Sequence, residues 1–343
     1  MSDPGIFRGL GRSAFLADLG EPVRGSGPLV AAVGRMLASI AGGFVIGGIA
    51  ATAGLILVFT IWIFATGHGS EGVRAIGSVA VAFQQADGRD LGSALLVMMV
   101  AVATNLPFAL AFVALAALIA HKRFISYLTA SRSVRWRLLA VGLLLSAILN
   151  ALFLIAGRIG SNDTTVMPMV AVSPQIVVRG IYVVAAFVLL IPAAGAEEIL
   201  FRGWMIRQIA AFTRRPAILI LITAVVFSGL HITDFQHLDL GAFITRALMG
   251  AGFAYMTLRL GGVEFSTGAH AANNILIVLF AEPLTMKTLA EQSKLTVGSA
   301  FQDVAMIVGY VLITEAVVRN RALRRWAGLR IDEVSAPVMS VPG

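Results

Sequence analysis

Long runs of apolar residues constrain this chain more than any other feature of its sequence. Of the 343 residues, 58% are hydrophobic and 13% are charged, and the mean hydropathy is +0.89. Soluble domains are about 45–50% apolar and about 25% charged. The composition therefore predicts a polytopic membrane protein and excludes a soluble globular domain.

Eight segments are apolar enough to be transmembrane helices, each of which needs about 20 apolar residues to cross a bilayer. The fourth segment is the longest, and the fifth and seventh are the shortest. The pattern predicts an all-α membrane helix bundle of about eight transmembrane helices. The segments run approximately over residues 37–66, 91–120, 138–157, 180–210, 217–233, 241–258, 265–281 and 300–318.

The basic residues predict how the bundle is oriented. Arginine and lysine cluster after the second, fourth and eighth segments, and these clusters lie on one side only if both termini do. Because basic loops collect in the cytoplasm, we expect cytoplasmic N and C termini. The same rule explains the formal charge of +8 without a nucleic-acid partner. The Ala-, Gly- and Arg-rich composition favours a bacterial inner membrane.

Glu197, Glu198 and Arg202 interrupt the fourth apolar segment. Each charge at the centre of a transmembrane helix costs about 3 kcal/mol, so three within six residues need a reason. Glu198 and Arg202 are four residues apart and can form an ion pair on one helical face. Glu197 points about 100° away. It is thus free to face a cavity as a general base.

Two further pairs with a spacing of four follow. Phe227 and His231 end the fifth segment, and His270 and Asn274 share one face of the seventh. Successive helices run antiparallel, so Glu197 and His231 can meet only if the fourth helix continues to about residue 210. We also expect the fifth helix to extend beyond His231, toward residue 236.

Each signal has an ordinary structural interpretation as well. The carboxylates and Arg202 can be interfacial charges, His231 can face lipid headgroups, and His270 with Asn274 can form an interhelical hydrogen bond. We interpret His68, His121 and His237 as solvated side chains, and Asn105 and Asn150 as packing contacts. We interpret Arg246, Asp303 and Glu315 as residues that snorkel or form pairs near the membrane interfaces.

Taken together, the three pairs resemble the motifs of the CPBP family. This family of intramembrane proteases includes the type II CAAX prenyl endopeptidases and the bacteriocin-processing or abortive-infection proteins. The resemblance covers about residues 181–318, whereas the earlier helices match only in being hydrophobic. It is carried by Glu197, Glu198, Arg202, Phe227, His231, His270 and Asn274.

The resemblance implies hydrolysis of a peptide bond in a membrane-associated substrate, and prenylated and bacteriocin-like peptides are the substrate types that it suggests. Glu197, assisted by His231, would activate water, and His270 with Asn274 would stabilise the oxyanion. Glu198, Arg202 and Phe227 would contact these residues and keep them in the correct orientation. The absence of cysteine excludes a thiol nucleophile and thiolate metal ligands.

Two questions stay open at this point. Glu197, His231 and His270 are also an acceptable zinc set, although no single helix carries both histidines; we favour the metal-free form. Buried Glu, His and Arg also mark transporters or ion-coupled carriers, which usually show repeated halves. A catalytically silent immunity or scaffold protein is the third alternative.

The polar residues divide the chain into four expected parts. Residues 1–36 form a cytoplasmic or interfacial segment that lies along the membrane, with no cleavable signal peptide evident. Residues 37–180 form accessory transmembrane helices, and residues 181–318 form the CPBP-like catalytic core. Residues 319–343 form a basic cytoplasmic tail.

Overall fold

A computed structural model describes residues 9–67, 73–161, 166–232, 239–285, 297–331 and 334. Their regular structure is helical, apart from one isolated bridge between Thr129 and Gly262, so the all-α prediction is confirmed. The main helices are α1 (Ser26–Ala65), α2 (Val73–Gln85), α3 (Leu91–Ile119), α4 (Trp136–Ser161), α5 (Ile176–Ala210), α6 (Pro216–Gly229), α7 (Leu240–Leu260), α8 (Glu264–Phe280), α9 (Val297–Arg319) and α10 (Arg321–Trp326).

Each of the eight predicted segments is helical, but not every helix is a full transmembrane span. Among the described residues, five helices are long and apolar enough to cross a membrane, namely α1, α3, α4, α5 and α9. Helix α6 has 14 residues, α8 has 17, and α7 carries Arg246 and Arg259. The chain is an integral membrane protein in which α6, α7 and α8 are short or interrupted by charge.

Close helix packing uses glycine at two contacts. Helix α1 packs along α3, where a Cβ atom on Gly54 would lie 1.9 Å from the carbonyl oxygen of Ala103. Helix α8 packs along α4, where a Cβ on Gly268 would lie 2.2 Å from the carbonyl oxygen of Leu139. The small residues therefore allow backbone contact, as is common between membrane helices.

The N-terminal segment differs from expectation. The sequence predicts a cytoplasmic or interfacial segment over residues 1–36; residues 1–8 lie outside the described residues, and α1 already begins at Ser26. Leu10, Phe15 and Leu16 are buried in the bundle, and the hydroxyl of Ser13 donates to the carbonyl oxygen of Leu258. Apolar side chains in two short 3₁₀ turns thus gain more by packing between helices than by facing lipid headgroups.

Several connecting segments meet at one end of the bundle, which we call the basic end. This end holds residues 9–24, the α3–α4 and α5–α6 connections, and the α7–α8 turn. Their mutual hydrogen bonds place the predicted basic clusters after the second and fourth segments on the same side. The bonds are Arg214 to the carbonyl oxygen of Gly20, Lys122 to that of Asp18, Ala130 N–H to that of Gly261, and Val23 N–H to that of Ala211.

Candidate active site

Helix α5 carries the two carboxylates past the middle of the bundle. It runs for 35 residues from Ile176 to Ala210, as the sequence predicted. Directly after Glu198 the helix widens into a π-helical turn over Ile199–Met205, and Pro192 lies within the preceding turns. π-Helical turns are rare and are found mainly at functional sites. The widened turn changes the rotation of Arg202 relative to a regular α-helix.

Helix α6 is shorter than we predicted. It ends at Gly229, so the expectation that it extends beyond His231 is wrong. His231 follows in a turn, where its N–H donates to the carbonyl oxygen of Ser228. The hydroxyl of Ser228 donates in turn to the carbonyl oxygen of Phe243 on α7. The end of α6 is thus fixed to α7, and a helical extension is unnecessary for His231 to reach Glu197.

Helix α8 brings His270 into the site by packing tightly on α4. Gly268 and Gly142 form the contact, since a Cβ on either would lie within 2.4 Å of a carbonyl oxygen of the other helix. Ala269 and Ala271 are fully buried on either side of His270. The small residues around His270 therefore set the depth and approach of its ring.

A buried triad of polar side chains forms behind Glu197. Arg202 Nη1 donates to Glu198 Oε1 over 2.9 Å, which is the ion pair that the spacing predicted. The Nδ1 atom of His270 lies 3.0 Å from the same Glu198 oxygen. Arg202 Nη2 donates to the carbonyl oxygen of Gly250 on α7. Glu198 and Arg202 are both 0% exposed, so these contacts are shielded from water.

Glu197 faces the ring nitrogens of two histidines. Its Oε2 atom lies 3.7 Å from His231 Nε2 and 3.8 Å from His270 Nε2. The Oε2 atom is buried and has no hydrogen-bond partner among the described residues, although 23% of the side chain is exposed. These separations are longer than a direct hydrogen bond, and a water that contacts both atoms of a pair would link them.

The tautomer of each histidine follows from its Nδ1 partner. His231 Nδ1 lies 2.7 Å from the carbonyl oxygen of Phe227, which can only accept a hydrogen bond. His270 Nδ1 lies beside the Glu198 carboxylate, which is also an acceptor when ionised. Both Nδ1 atoms therefore donate, and both Nε2 atoms turn toward Glu197. Contacts of this type orient catalytic and ligating histidines.

Aromatic rings enclose the polar group. Phe227 contacts the ring of His231 with centroids 4.6 Å apart, as the spacing of four predicted. It also covers the Arg202 guanidinium, which lies 4.3 Å from the ring centroid. Phe253 of α7 stacks on His270 at 5.0 Å. These rings pack against the imidazoles and the guanidinium and restrict their movement.

Asn274 lies one turn beyond His270 on α8. Its Oδ1 atom accepts a weak hydrogen bond of 3.4 Å from Asn273 Nδ2. That contact leaves the Nδ2 atom of Asn274 to donate elsewhere. The structure thus places all seven residues of the three motifs on α5, on α8, and on or just after α6.

Sequence reasoning missed three contributors to this arrangement. Phe253 and the Gly250 carbonyl oxygen come from α7, and no motif marks either residue. Arg207 is almost completely buried and donates to Asp18 and to the carbonyl oxygen of Phe15, anchoring the N-terminal segment beside the π-helical turn. A basic residue inside an apolar stretch was the available signal for Arg207.

The arrangement was also tested as a metal centre. Among the described residues, no three His, Cys, Asp or Glu side chains are grouped as ligands for a metal ion. The two Nε2 atoms and one carboxylate of the site are of the ligand types that zinc uses, but their separations suit a shared water equally well.

The fold and the site geometry define a class of protein. It is a helical membrane protein with two adjacent carboxylates and two histidines at one buried site. The family model of Rce1-like type II CAAX prenyl endopeptidases matches residues 177–276, a range that contains all seven motif residues. The resemblance to the CPBP family is thus confirmed over this segment.

A curated relative extends the similarity. The uncharacterized protein YyaK of Bacillus subtilis (strain 168) is 30% identical over 167 residues, which are 47% of this chain. The matched part covers 54% of YyaK, so the chain spans about half the length of this relative. No solved structure matches the chain significantly.

Proposed function

We propose that this protein is an intramembrane endopeptidase of the CAAX-protease type, which hydrolyses a peptide bond with water activated by Glu197. The observation that carries the proposal is the convergence of the His231 and His270 Nε2 atoms on Glu197 Oε2, at 3.7 and 3.8 Å. The match of residues 177–276 to the Rce1-like family supports it.

Water activation begins at Glu197. A water held between Glu197 Oε2 and His231 Nε2 lies within hydrogen-bond reach of a base that has no competing partner. Glu197 takes one proton from this water as the oxygen attacks the scissile carbonyl carbon. The proton then passes from Glu197 to the leaving amide nitrogen. One carboxylate thus serves first as base and then as acid.

Oxyanion stabilisation falls to His270 and Asn274. The carbonyl oxygen gains a negative charge when water attacks, and positioned donors in a water-poor site stabilise it strongly. Because the Nδ1–H of His270 is donated to Glu198, the neutral ring has no proton on Nε2, so we assign this role to the doubly protonated ring. Asn274 supplies a neutral N–H donor from Nδ2.

Glu198 and Arg202 act on the reaction through His270. The ion pair is completely buried, and its two partners are fixed by α7 and α8. Their role is to hold the ring of His270 and the backbone of α5, so that Glu197 keeps its direction. Phe227 restricts His231 in the same way.

The proposal includes the location and partners of the enzyme. The substrate is a peptide or membrane protein that reaches the site from the bilayer, prenylated or bacteriocin-like in the forms that the family resemblance implies. The positive-inside rule places the basic end in the cytoplasm of a bacterial inner membrane, with both termini there. We propose no nucleic-acid partner and no required cofactor.

Substrate trapping tests the proposed function. Membranes from cells that produce the Glu197→Gln form are compared, by mass spectrometry of peptides, with membranes from cells that produce the native form. Peptides enriched with the variant are then incubated with purified native protein. Cleavage of at least one such peptide is the expected result, whereas no differential peptide and no cleavage would refute the proposal.

Metal dependence is tested on the same preparation. Elemental analysis is expected to find zinc far below one equivalent, and a chelator is expected to leave cleavage unchanged. Stoichiometric zinc that is lost together with activity would replace the metal-free form by a site of Glu197, His231 and His270.

A further inference from the structure

A cavity lined by both polar and apolar side chains lies apart from the candidate active site. Its volume is about 190 Å³, and it lies between α4, α7, α8 and α9. A chain of contacts leads to it: Phe253 stacks on His270 and contacts Tyr310, and the hydroxyl of Tyr310 donates to Asn150 Oδ1. The cavity is thus distinct from the site around Glu197 but is connected to His270 through two rings.

The walls of this cavity carry one carboxylate and no basic group. Asp303 of α9 is the acidic residue, and in the described part of the chain it is bonded to the hydroxyl of Thr245 on α7. Asp303 is partly buried at the start of the apolar span of α9, and a carboxylate in such a position is stabilised by a nearby cation. Asp303 was expected to be a snorkelling or pairing residue near the interface, but its contact in the described residues is the Thr245 hydroxyl, and none of the described basic residues pairs with it.

A second polar group of the cavity has an unused hydrogen bond. Asn150 is 3% exposed, and its Nδ2 atom has no partner among the described residues although Oδ1 accepts from Tyr310. A buried amide with an unused donor loses its interaction with water without compensation. The cavity therefore offers a carboxylate for a cation and a free N–H group for an acceptor.

The remaining walls are mainly apolar. Phe153, Met249 and Met306 are among these residues, and they provide flexible or aromatic surface for an aliphatic chain. A ligand that fits has a cationic end, an aliphatic stem and a nearby carbonyl oxygen. This combination is the chemistry of a lysine or arginine residue within a peptide.

We propose that this cavity binds a basic side chain of the peptide substrate. The ammonium or guanidinium group lies at Asp303, the stem lies along Met249 and Met306, and a peptide carbonyl oxygen accepts from Asn150 Nδ2. The inference rests on the proposed function, because it assigns a basic residue to the same substrate. A phospholipid amine fits less well, since its phosphate would lie close to the Asp303 carboxylate.

The cavity can be probed by thiol chemistry because the chain contains no cysteine. In a Met306→Cys variant, we compare the rates of reaction with aminoethyl and sulfonatoethyl methanethiosulfonate, which differ in the sign of their charge. The cationic reagent should react at least about 10-fold faster, as expected near one partly screened carboxylate. Adding Asp303→Asn should remove most of the difference, whereas Asp87→Asn, on an exposed loop, should not.

Peptides then identify the occupant. In the Met306→Cys protein that also carries Glu197→Gln, an acetylated peptide with a central lysine should slow modification at least threefold more than the same peptide with norleucine. Equal protection, a charge preference that survives Asp303→Asn, or no reaction with either reagent would overturn the proposal. Protection by phosphatidylethanolamine vesicles without peptide would also overturn it, in favour of a lipid site.

The two proposals fail in distinguishable ways. Binding is measured with Glu197→Gln present, so it does not depend on turnover. Loss of lysine-selective protection while the native protein still cleaves trapped peptides would refute only the cavity assignment. Lysine-selective protection without any cleavage by the native protein would refute only the peptidase.

Discussion

His270 is bonded to Glu198 through Nδ1, at 3.0 Å, and thereby directs Nε2 toward the neighbouring carboxylate of Glu197. The ring of His270 thus faces two adjacent carboxylates, one at each ring nitrogen, and the two carboxylates have different surroundings. Glu198 is completely buried beside Arg202, whereas Glu197 is partly exposed and has a free oxygen. The adjacent glutamates are therefore expected to respond differently to the same substitution.

The first prediction concerns the buried pair of Glu198 and Arg202. Glu198→Gln leaves a buried guanidinium without its counter-charge, so the free energy of unfolding should fall by about 3–5 kcal/mol. The double variant Glu198→Gln with Arg202→Met removes both charges and should recover much of that loss, because apolar replacements of buried pairs are often neutral. Unfolding in denaturing detergent measures both values.

Activity separates positioning from stability in these variants. Since the Glu198→Gln change leaves only a neutral acceptor for His270 Nδ1, the cleavage rate of the double variant should stay low even where its stability is restored. A double variant as active as the native protein would contradict the positioning role of Glu198.

The second prediction concerns Asn274 as an oxyanion donor. Asn274→Ala should lower kcat about 100- to 1,000-fold, the usual cost of losing such a donor, with little change in KM. Asn105→Ala is the matched control, because it removes the same side-chain amide from α3, a helix that carries none of the motif residues. Kinetics on a trapped peptide measure both. A mainly raised KM in Asn274→Ala would assign this residue to substrate binding instead.

The third prediction concerns how the N-terminal segment is anchored. Arg207 Nη2 lies 2.7 Å from Asp18 Oδ2, and Nη1 lies 2.7 Å from the carbonyl oxygen of Phe15. Arg207→Met should lower the free energy of unfolding by about 2–3 kcal/mol, since hydrogen bonds to a charged group are lost. Limited proteolysis should then cut within residues 9–24.

Arg215 provides the control for this substitution. It lies in the adjacent connection and is exposed. Arg215→Met should leave both stability and the protease pattern unchanged. Equal sensitivity of the two variants would indicate that the Asp18 contact does not anchor the segment.

The fourth prediction concerns the glycine contact that sets the position of His270. A Cβ on Gly268 would lie 2.2 Å from the Leu139 carbonyl oxygen, so Gly268→Ala must push α8 away from α4. Cleavage should fall at least about 100-fold, as for other displacements of catalytic groups by about 1 Å. Gly157→Ala on α4 has open space around its Cβ and should be stable and active.

The sequence alone allowed prediction of features that repeat within one helix. The apolar segments, the Glu198–Arg202 pair and the contact of Phe227 with His231 all follow from helical periodicity. Contacts between distant segments do not. Asp18 and Arg207, or Asp303 and Thr245, meet only because several helices pack together, and no local pattern encodes that packing.

The ends of the helices could not be predicted from the sequence either. Helix α6 was expected to continue past His231, because a straight antiparallel pair would separate His231 from Glu197 in depth. The structure instead combines a short α6, a turn at His231 and a π-helical turn after Glu198. Apolar composition continues through these boundaries, so hydropathy does not mark them.

Cleavage by purified Glu197→Gln protein tests the central claim most directly. The protein is reconstituted in nanodiscs and incubated with a trapped peptide under single-turnover conditions, and its thermal unfolding is compared with that of the native form. We predict native-like unfolding with a cleavage rate reduced at least about 1,000-fold, because no base remains to activate water. Cleavage at the native rate would contradict the account.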